Sequence, residues 1–352
     1  MSVGGTMSSQ ERTQATGMGP LHASGRFNVL ITSAGRRVQL VAVFRHLLNE
    51  LGGGSVVAVD FSRLAPATHV ADRQFQVPRI TSDQYLRTIL ELCADNQVAL
   101  VVPTIDTELS LLAGAREDFR DRGIEVAVSD GETIAISADK QRTHEWLRRH
   151  GFPTPRRLER DVDGSITIPA QCAVVVKPVD GSRSIGIRFL PAFPEARVET
   201  IPDTAVVEEF VEGVEYTVSG YVDRNGHCVS AVPRERLEVR DGEVSKAVTR
   251  RIPLLEQLVR EVLEELPGAW GPLNVQAIQD AHTGDFKIIE INARFGGGDP
   301  LAWAAGAQAP KWLIDEILGR PMQASKWLDG LTMLRYDSAV YLNEQGAQVE
   351  TP

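Results

Sequence analysis

The sequence predicts an α/β domain followed by a longer region of the α+β class. Up to about residue 130, short apolar runs alternate with amphipathic stretches of helical spacing, which is typical of βαβ units around a parallel sheet. Beyond that point strand-like runs predominate, some of them joined as hairpins. The 352 residues, 43% apolar and 24% charged, have the composition of a globular protein with two or three domains.

Composition and pattern divide the chain into four parts. Residues 1–26 are rich in Gly, Ser and Thr, and we expect them to form a disordered tail. Residues 27–130 form the α/β domain and residues 131–320 the α+β domain. Residues 321–352 form a C-terminal segment whose pattern is too mixed to predict a structure.

The α/β domain has the order of a doubly wound, Rossmann-like sheet. Ligands of such sheets bind beyond the carboxyl ends of the strands, where this sequence reads TSAGRR (32–37), DFSR (60–63) and PTIDTE (103–108). The first turn has one glycine, Gly35, where a dinucleotide fingerprint needs three. The predicted strands are 29–31, 56–60, 98–103 and 124–128, and the predicted helices lie around 40–48, 85–93 and 108–118.

The second domain is predicted to contain two helices and at least five strands. A glycine- and serine-rich loop at 179–187 follows an apolar strand, and Glu212-Gly213 divides a long extended stretch. The predicted helices are 137–151 and 254–266, and the predicted strands are 172–178, the two halves of 205–222, and a hairpin of 273–280 with 286–292.

Charge and cysteine content limit the partners and the compartment. The formal net charge of −10 argues against nucleic-acid binding, which usually needs a basic face. No apolar run approaches the ~18 residues of a membrane helix. The three cysteines, Cys93, Cys172 and Cys228, lie far apart and lack zinc-site spacing. We therefore expect a cytoplasmic protein with free thiols, without nucleic-acid or membrane partners.

The predicted C-terminal hairpin carries the strongest constellation of polar residues. Side chains alternate along a strand, so Glu290, Asn292 and Arg294 share one face. The hairpin places Gln276 opposite Glu290. A carboxylate with amide oxygens is a natural seat for Mg²⁺, and an adjacent arginine can bind phosphate. The alternative is a solvated polar face beside a sheet core.

Three further segments are weak when taken singly. Lys177 precedes the glycine- and serine-rich loop, which could cradle phosphate through backbone N–H groups or be only a flexible hairpin tip. The stretch VVEEFVEGVEYTV (206–218) could read an adenine edge through its main chain, with Glu215 at the ribose, or be a solvated acidic edge. Lys140, near a helix start, is by itself an ordinary surface lysine.

In order and spacing these motifs resemble the ATP-grasp superfamily, most closely its biotin carboxylase and carbamoyl phosphate synthetase large-chain branch. The resemblance covers about residues 27–320. It implies a Rossmann-like pre-ATP-grasp domain followed by an ATP-grasp fold, whose two subdomains close on ATP, with a mobile lid at about 152–210. The segments are SADKQRTHEWLRRHGFPTP, VVVKPVDGSRSIGI, VVEEFVEGVEYTV, NVQAI and IIEINARFGGG.

The resemblance assigns a role to each matching position. Asn292-Ala293-Arg294 stands where the family commonly has Asn-Pro-Arg, which loses a rigid proline but no ligand. The implied ATP-binding residues are Lys140, Lys177, Ser182, Ser184, Glu208, Glu209, Val211, Glu215 and Gln276. The implied metal ligands are Gln276, Glu290 and Asn292, and the implied catalytic residues are Lys177, Arg234, Lys246 and Arg294.

The first domain is implied to help hold the substrate other than ATP. Arg36 and Arg37 would pair with a carboxylate, and Asp106 and Glu108 with an amino group. Arg236 would face the same co-substrate from the second domain. The alternative is that the two arginines only cap surface carbonyls.

The resemblance implies an ADP-forming carboxylate–amine ligase that uses ATP with Mg²⁺, or with Mn²⁺ in its place. A small-molecule carboxylate, such as that of an amino acid, would be activated as an acyl phosphate and joined to an amine. A homodimer is possible. Two alternatives stay open: an enzyme that activates bicarbonate for carboxylation or carbamoyl transfer, and a protein that binds ATP without catalysis.

Overall fold

The structure, a computed structural model, describes residues 26–179, 186–240, 242–323, 326–346 and 348–349. Ser182 and Ser184, predicted to bind phosphate, lie outside the described residues.

The N-terminal domain is a five-stranded, wholly parallel sheet with strand order β3-β2-β1-β4-β5. The α/β prediction for this domain is thus confirmed. Its strands are β1 (Asn28–Ile31), β2 (Val56–Asp60), β3 (Arg73–Gln76), β4 (Val98–Val102) and β5 (Glu125–Val126), and its helices are α1 (Val38–Glu50), α2 (Pro66–His69), α3 (Tyr85–Asp95), α4 (Asp106–Gly114) and α5 (Arg116–Arg120).

Two details of this domain differ from the predicted elements. The edge strand β3 has four exposed residues, RQFQ, and therefore lacks the apolar run by which a buried strand is found. The single helix expected at 108–118 is two short helices, divided at Ala115.

Two helices, α6 (Gly131–Ala138) and α7 (Lys140–Arg149), connect the domains. The prediction of one helix over 137–151 is therefore wrong in its first turn, because residues 137–138 belong to α6 and α7 begins at Lys140. Asp139 has extended backbone geometry, and its carboxylate accepts hydrogen bonds from the backbone N–H groups of Gln141 and Arg142. This N-cap ends one helix and begins the next, and it places Lys140 at the first position of α7.

The region predicted to be the lid, about residues 152–210, contains two small antiparallel sheets. A short apolar cluster around Val174, Val176 and Val207 holds it together. The four-stranded sheet has the order β6 (Arg157–Leu158), β11 (Ala205–Glu209), β8 (Val174–Pro178) and β9 (Arg188–Leu190), and the two-stranded sheet pairs β7 (Ile166–Ile168) with β10 (Arg197–Glu199).

A six-stranded antiparallel sheet forms the body of the second domain. The helix α8 (Pro253–Glu265) packs on it through Leu255, Val259, Val262 and Leu263. The strand order is β16 (Phe286–Asn292), β15 (Gly271–Asp280), β12 (Gly213–Val222), β13 (Cys228–Arg240), β14 (Glu243–Thr249) and β17 (Thr332–Leu334), and the remaining helices are α9 (Asp299–Ala305) and α10 (Ala309–Ile317).

The C-terminal segment is part of this sheet, because β17 pairs with β14. The two domains also share a core. One apolar cluster extends from Val101 of β4 through Ile134 and Trp146 to Val275 and Ile288 of the hairpin. The carboxyl edge of the N-terminal sheet therefore faces the six-stranded sheet.

Candidate active site

Two adjoining cavities lie between the carboxyl edge of the N-terminal sheet and the six-stranded sheet. The first, here called the polar cavity, has a volume of about 370 Å³ and is lined largely by charged and amide side chains. The second, here called the apolar cavity, measures about 530 Å³ and is lined by the loops that follow β1, β2 and β3. Both cavities are bordered by Arg37, Thr104, Ile105, Glu243, Gly296 and Gly297.

The hairpin of β15 and β16 forms the floor of the polar cavity. Gln276 and Glu290 are direct cross-strand partners, as the alternation predicted. Asn292 and Arg294 line the cavity beside them. The predicted cluster of one carboxylate, two amide oxygens and one guanidinium is thus assembled in the structure.

Glu290 lies at the electrostatic centre of this cluster. Burial raises the pKa of its carboxyl group, while the charges of Lys140, Arg294 and Lys177 lower it and that of Asp106 raises it. Lysines from the connecting helix and the lid, and an arginine from the hairpin, therefore act on one carboxylate. This combination of one carboxylate with three cationic side chains suits a ligand that contains both a divalent cation and phosphate groups.

Arg294 joins the two domains across the cavity. Its guanidinium pairs with Asp106 at the start of α4, with 2.6 Å between Nη2 and Oδ2, and also donates to Oδ1 of Asn292 at 3.1 Å. Its Nε is buried without a hydrogen-bond partner among the described residues. Asp106, predicted to meet a substrate amino group, is thus held at the cavity by an arginine.

Arg236 occupies the wall next to Gln276. Its Nη1 donates to Oε1 of Glu215 at 2.8 Å and to Oε1 of Gln276 at 3.3 Å. The predicted ribose contact, Glu215, and the predicted metal ligand, Gln276, are therefore joined by one guanidinium.

Arg234 is deeply buried, with a side-chain exposure of 2%. It donates to Asp299 and Asn274 through Nη2 and to Ser219 through Nε. Asp299 in turn accepts from the Gly296 N–H and from the Asn274 amide. These hydrogen bonds fix the Arg234 side chain in the cavity wall. Arg234, predicted to be catalytic, therefore supports the wall and is not a mobile cation.

The three glycines before Asp299 make room for these side chains. A Cβ on Gly296 would lie 3.0 Å from the side-chain amide of Asn274, and one on Gly297 would lie 2.6 Å from Nη1 of Arg37. A Cβ on Gly298 would overlap the guanidinium of Arg234. Asn274 and Asp299 were not among the predicted site residues, and the sequence signal for them was the GGGD run (296–299).

The lid contributes Lys177, whose Nζ lies 2.6 Å from Oε2 of Glu208 on the neighbouring strand. Glu208 is buried, so its side chain serves this pair. Glu209 accepts from Lys287 and from the Arg156 N–H. Val211 is buried in the short link between β11 and β12. The backbone N–H groups of Glu209 and Phe210 also donate to the carbonyls of Arg156 and Ala173, so this segment is held between its neighbouring strands.

Lys246, predicted to be catalytic, lies outside both cavities. It is about half exposed and pairs with Glu238 across the β13–β14 hairpin, with 2.6 Å between Nζ and Oε2. The arrangement therefore does not favour contact between Lys246 and a substrate.

Glu108 is completely buried beneath the loops that separate the cavities. Its carboxylate accepts hydrogen bonds from Ser33 Oγ, Tyr85 OH and the Thr104 and Ile105 N–H groups. Burial raises its pKa and these donors lower it, with a net increase. The predicted contact with a substrate amino group is not favoured, since protein donors already surround both oxygens. Its role is to hold the loop after β1.

Arg36 and Arg37 follow that loop and border the apolar cavity. Arg36 is largely exposed and lies 3.6 Å from Glu243. Arg335, from the C-terminal segment, donates to the same carboxylate at 3.1 Å. The role of Arg335 could not be predicted from the sequence, because no motif marks it.

Both domains match known protein families. The family described as "ATP-grasp domain" matches residues 137–298. The family described as "PylC-like, N-terminal domain" matches residues 29–127. The chain therefore carries an ATP-grasp domain preceded by a PylC-like N-terminal domain, which confirms the resemblance seen in its motifs.

The curated proteins similar to this chain include named ligases. A D-alanine–D-alanine ligase of Chromohalobacter salexigens is 29% identical over 228 residues, which cover 58% of this chain and 69% of the relative. A 3-methyl-D-ornithine–L-lysine ligase of Methanosarcina barkeri is 27% identical over 255 residues, which cover 72% of this chain and 64% of the relative.

Solved structures support the fold. The biotin carboxylase domain dimer of the Hydrogenobacter thermophilus 2-oxoglutarate carboxylase, solved with MgADP, ADP and bicarbonate, has a TM-score of 0.64 at 17% identity. The match covers 86% of this chain and 72% of that one.

Within the described ranges, no three or more His, Cys, Asp or Glu side chains form a group that could hold a metal ion. The helices of the described part of the chain are all too short or too polar to cross a bilayer.

Proposed function

We propose that this protein is an ADP-forming ligase that activates a small-molecule carboxylate with ATP and joins it to an amine. One observation carries the proposal: Glu290, opposite Gln276, stands in a cavity where Lys140, Lys177 and Arg294 all act on its charge. This is the charge arrangement that triphosphate with a divalent cation requires.

The donor set at the hairpin suits Mg²⁺, or Mn²⁺ in its place. Glu290 supplies a carboxylate, and Gln276 and Asn292 supply amide oxygens. Mg²⁺ prefers such hard oxygens and commonly completes its shell with phosphate and water, which agrees with the presence of only one carboxylate. When bound, the ion would neutralise charge on the phosphates.

ATP would lie between the lid and the six-stranded sheet. The main chain at 208–211 would read the adenine edge, and Glu215 would bond the ribose hydroxyls. Lys140 and Lys177 would neutralise the phosphates, and the Glu208 partner keeps Lys177 in place. Ser182 and Ser184 remain predicted phosphate contacts.

The chemistry consists of two displacements. A carboxylate oxygen of the substrate attacks the γ-phosphorus, the bond to the β,γ-bridging oxygen breaks, and ADP leaves. The amine nitrogen then attacks the acyl carbon, the acyl C–O bond breaks, inorganic phosphate leaves and the nitrogen loses a proton. Neither step needs a protein nucleophile, because alignment and charge neutralisation supply the rate enhancement.

The chain's own residues divide these tasks. Arg294 and Arg236 would stabilise the charge on the transferred phosphoryl group and the acyl phosphate. Asp106, near Arg294, would receive the amine. Arg234 would position the glycine loop through Asp299, and Glu108 would position the loop that carries Arg36 and Arg37.

An ADP-release screen tests the function. The full chain is supplied with Mg-ATP, single carboxylic acids, bicarbonate, and acid–amine pairs. ADP formation that depends on an acid and increases with an amine is expected. Release with bicarbonate alone would instead indicate a carboxylating or carbamoyl-type enzyme, and tight ATP binding without ADP release would indicate a non-catalytic protein.

The assembly and compartment are also proposals. The Hydrogenobacter thermophilus biotin carboxylase domain, which has a similar fold, is a dimer, and this supports a homodimer here, measurable by sedimentation. Cys93, Cys172 and Cys228 are unpaired thiols, which favours a reducing compartment such as the cytoplasm.

A further inference from the structure

The apolar cavity has a composition unlike that of the polar cavity beside it. Its walls include the side chains of Leu40, Phe61, Leu64, Ile80, Phe295 and Trp303. Phe61 is 48% exposed and Leu64 is 79% exposed. Two large apolar side chains left open at the rim of a concave site are the usual mark of a surface that binds an apolar group.

The charged groups of this cavity favour an anion. Four arginines line it, Arg36, Arg37, Arg79 and Arg335, against two carboxylates. Arg79 stacks on the Phe61 ring, with 4.2 Å from its Cζ to the ring centroid, and no carboxylate within the described part of the chain forms an ion pair with it.

Both lining carboxylates are already engaged by the protein. Asp60 accepts from the Gly35 N–H and the Ser62 N–H, each at 2.9 Å. Glu243 is paired with Arg36 and Arg335. The cavity wall thus carries more arginines than carboxylates, and this excess of positive charge favours a bound carboxylate over an ammonium group.

The position of Arg37 orients such an acid. Arg37 borders both cavities and is packed against Gly297 at their boundary. An acid held with its carboxylate toward Arg37 would present that carboxylate to the polar cavity and keep its body against Phe295 and Trp303. This is the orientation that phosphorylation of the acid requires.

We propose that the apolar cavity binds the acid to be activated, and that this acid carries a bulky apolar body, aromatic or branched aliphatic. This inference rests on the proposed function and specifies its substrate class. The cavity of about 530 Å³ is within the range that holds sizeable small molecules, and acetate or glycine would leave most of it empty.

Binding without ATP tests the cavity separately from the reaction. Full-length protein is titrated by calorimetry with 3-phenylpropionate, 4-methylpentanoate, acetate and phenethylamine. The two apolar acids are expected to bind at least about tenfold more tightly than acetate, since each methylene in an apolar pocket contributes roughly 10- to 200-fold discrimination. They should exceed phenethylamine by a similar factor, because its ammonium group would meet the excess of arginines in the cavity wall. Equal affinity for all four probes, or no binding, overturns the inference.

Two exposed leucines provide matched variants. Leu64→Asp places a charge at the rim of the cavity, and Leu254→Asp makes the same change at a residue that is 75% exposed on α8 and lines neither cavity. Only Leu64→Asp is expected to weaken 3-phenylpropionate binding, by about tenfold or more, with the affinity for ATP unchanged. An equal effect of both variants, or of neither, contradicts the assigned site.

The reaction then separates the two proposals. If ADP release is faster with small polar acids than with apolar acids, and Leu64→Asp does not change it, the substrate class is refuted and the ligase proposal is retained. Absence of ADP release with every acid, together with 3-phenylpropionate binding that Leu64→Asp weakens, would refute the ligase and leave the cavity assignment standing.

Discussion

The polar and apolar cavities share a wall but are built in different ways. About half of the residues that line the polar cavity lie on paired strands of one sheet, where register positions their side chains. The apolar cavity is lined mainly by loops after four strands of the N-terminal sheet and by the glycine loop, with helix residues such as Leu40 and Trp303 and one arginine of the C-terminal segment. Register holds groups for a chemistry that demands fixed geometry, whereas loops allow substrate choice to vary.

Two glutamates show the same contrast at the level of single residues. Glu290 and Glu108 both have pKa values raised by burial. Glu108 is surrounded by hydrogen-bond donors that belong to the protein. Glu290 faces lysine and arginine charges that converge on a cavity. The first therefore stabilises a loop, and the second is available to a ligand.

Glu290→Gln gives the largest expected effect on activity. Turnover should fall by about 10²- to 10³-fold or more, because the only carboxylate of the predicted metal site is lost. The readout is ADP release with Mg-ATP and a responsive acid–amine pair. Glu238→Gln, at an exposed ion pair, should leave turnover nearly unchanged, and equal loss in both variants would contradict the assignment.

The same variant has a pH signature in the ligand-free protein. A carboxyl group whose folded pKa is raised costs stability as the pH rises from its ordinary pKa through the raised value. Glu290→Gln should therefore unfold at a higher temperature than wild type at neutral pH, and this advantage should disappear in acid below the ordinary glutamate pKa. An advantage that is independent of pH would contradict the role of burial.

Arg234→Met should give the largest loss of stability. It leaves Asp299 buried without its charge partner, and breaking such a pair costs about 3–5 kcal/mol. Thermal unfolding is the measurement. Arg240→Met, at an exposed pair with Asp337, is the control and should change the unfolding temperature little. Similar unfolding temperatures for both variants would show that the Arg234 network is not structural.

Asp106→Asn should give an intermediate effect on activity with the fold retained. The loss of the Arg294 partner and of the proposed amine contact should lower kcat/KM for the amine by about 10- to 100-fold, the usual scale for groups that orient a reactive centre. Steady-state kinetics at saturating ATP provide the measurement. An unchanged kcat/KM for the amine, with a raised KM for ATP, would place Asp106 on the nucleotide side instead.

Arg36→Ala should give the smallest effect, less than about tenfold, because Arg36 is largely exposed and its pair with Glu243 is long. The KM for the acid should rise while the KM for ATP stays constant. Lys246→Gln, also at a partly exposed pair but outside both cavities, should change neither KM. If Arg36→Ala, like Lys246→Gln, changes neither KM, then Arg36 does not bind the acid and only caps surface carbonyl groups.

The sequence alone determined the parallel N-terminal sheet, the long helix α8 and the β15–β16 hairpin. Buried parallel strands and amphipathic helices have local periodicities, and a short turn marks the hairpin, whose register shifts at an irregularity between Gln276 and Ala277. Such features depend on neighbours in the chain, so a single sequence reveals them.

Only the tertiary structure decided which charged groups face a cavity. Arg234 and Asp299 are 65 residues apart, and Ser33 and Glu108 are 75 residues apart. Lys246 and Arg335 both lie in or beside the same sheet edge, yet only Arg335 reaches a cavity. Burial and pairing of a charge depend on what the fold brings against it, and spacing along the chain does not encode that contact.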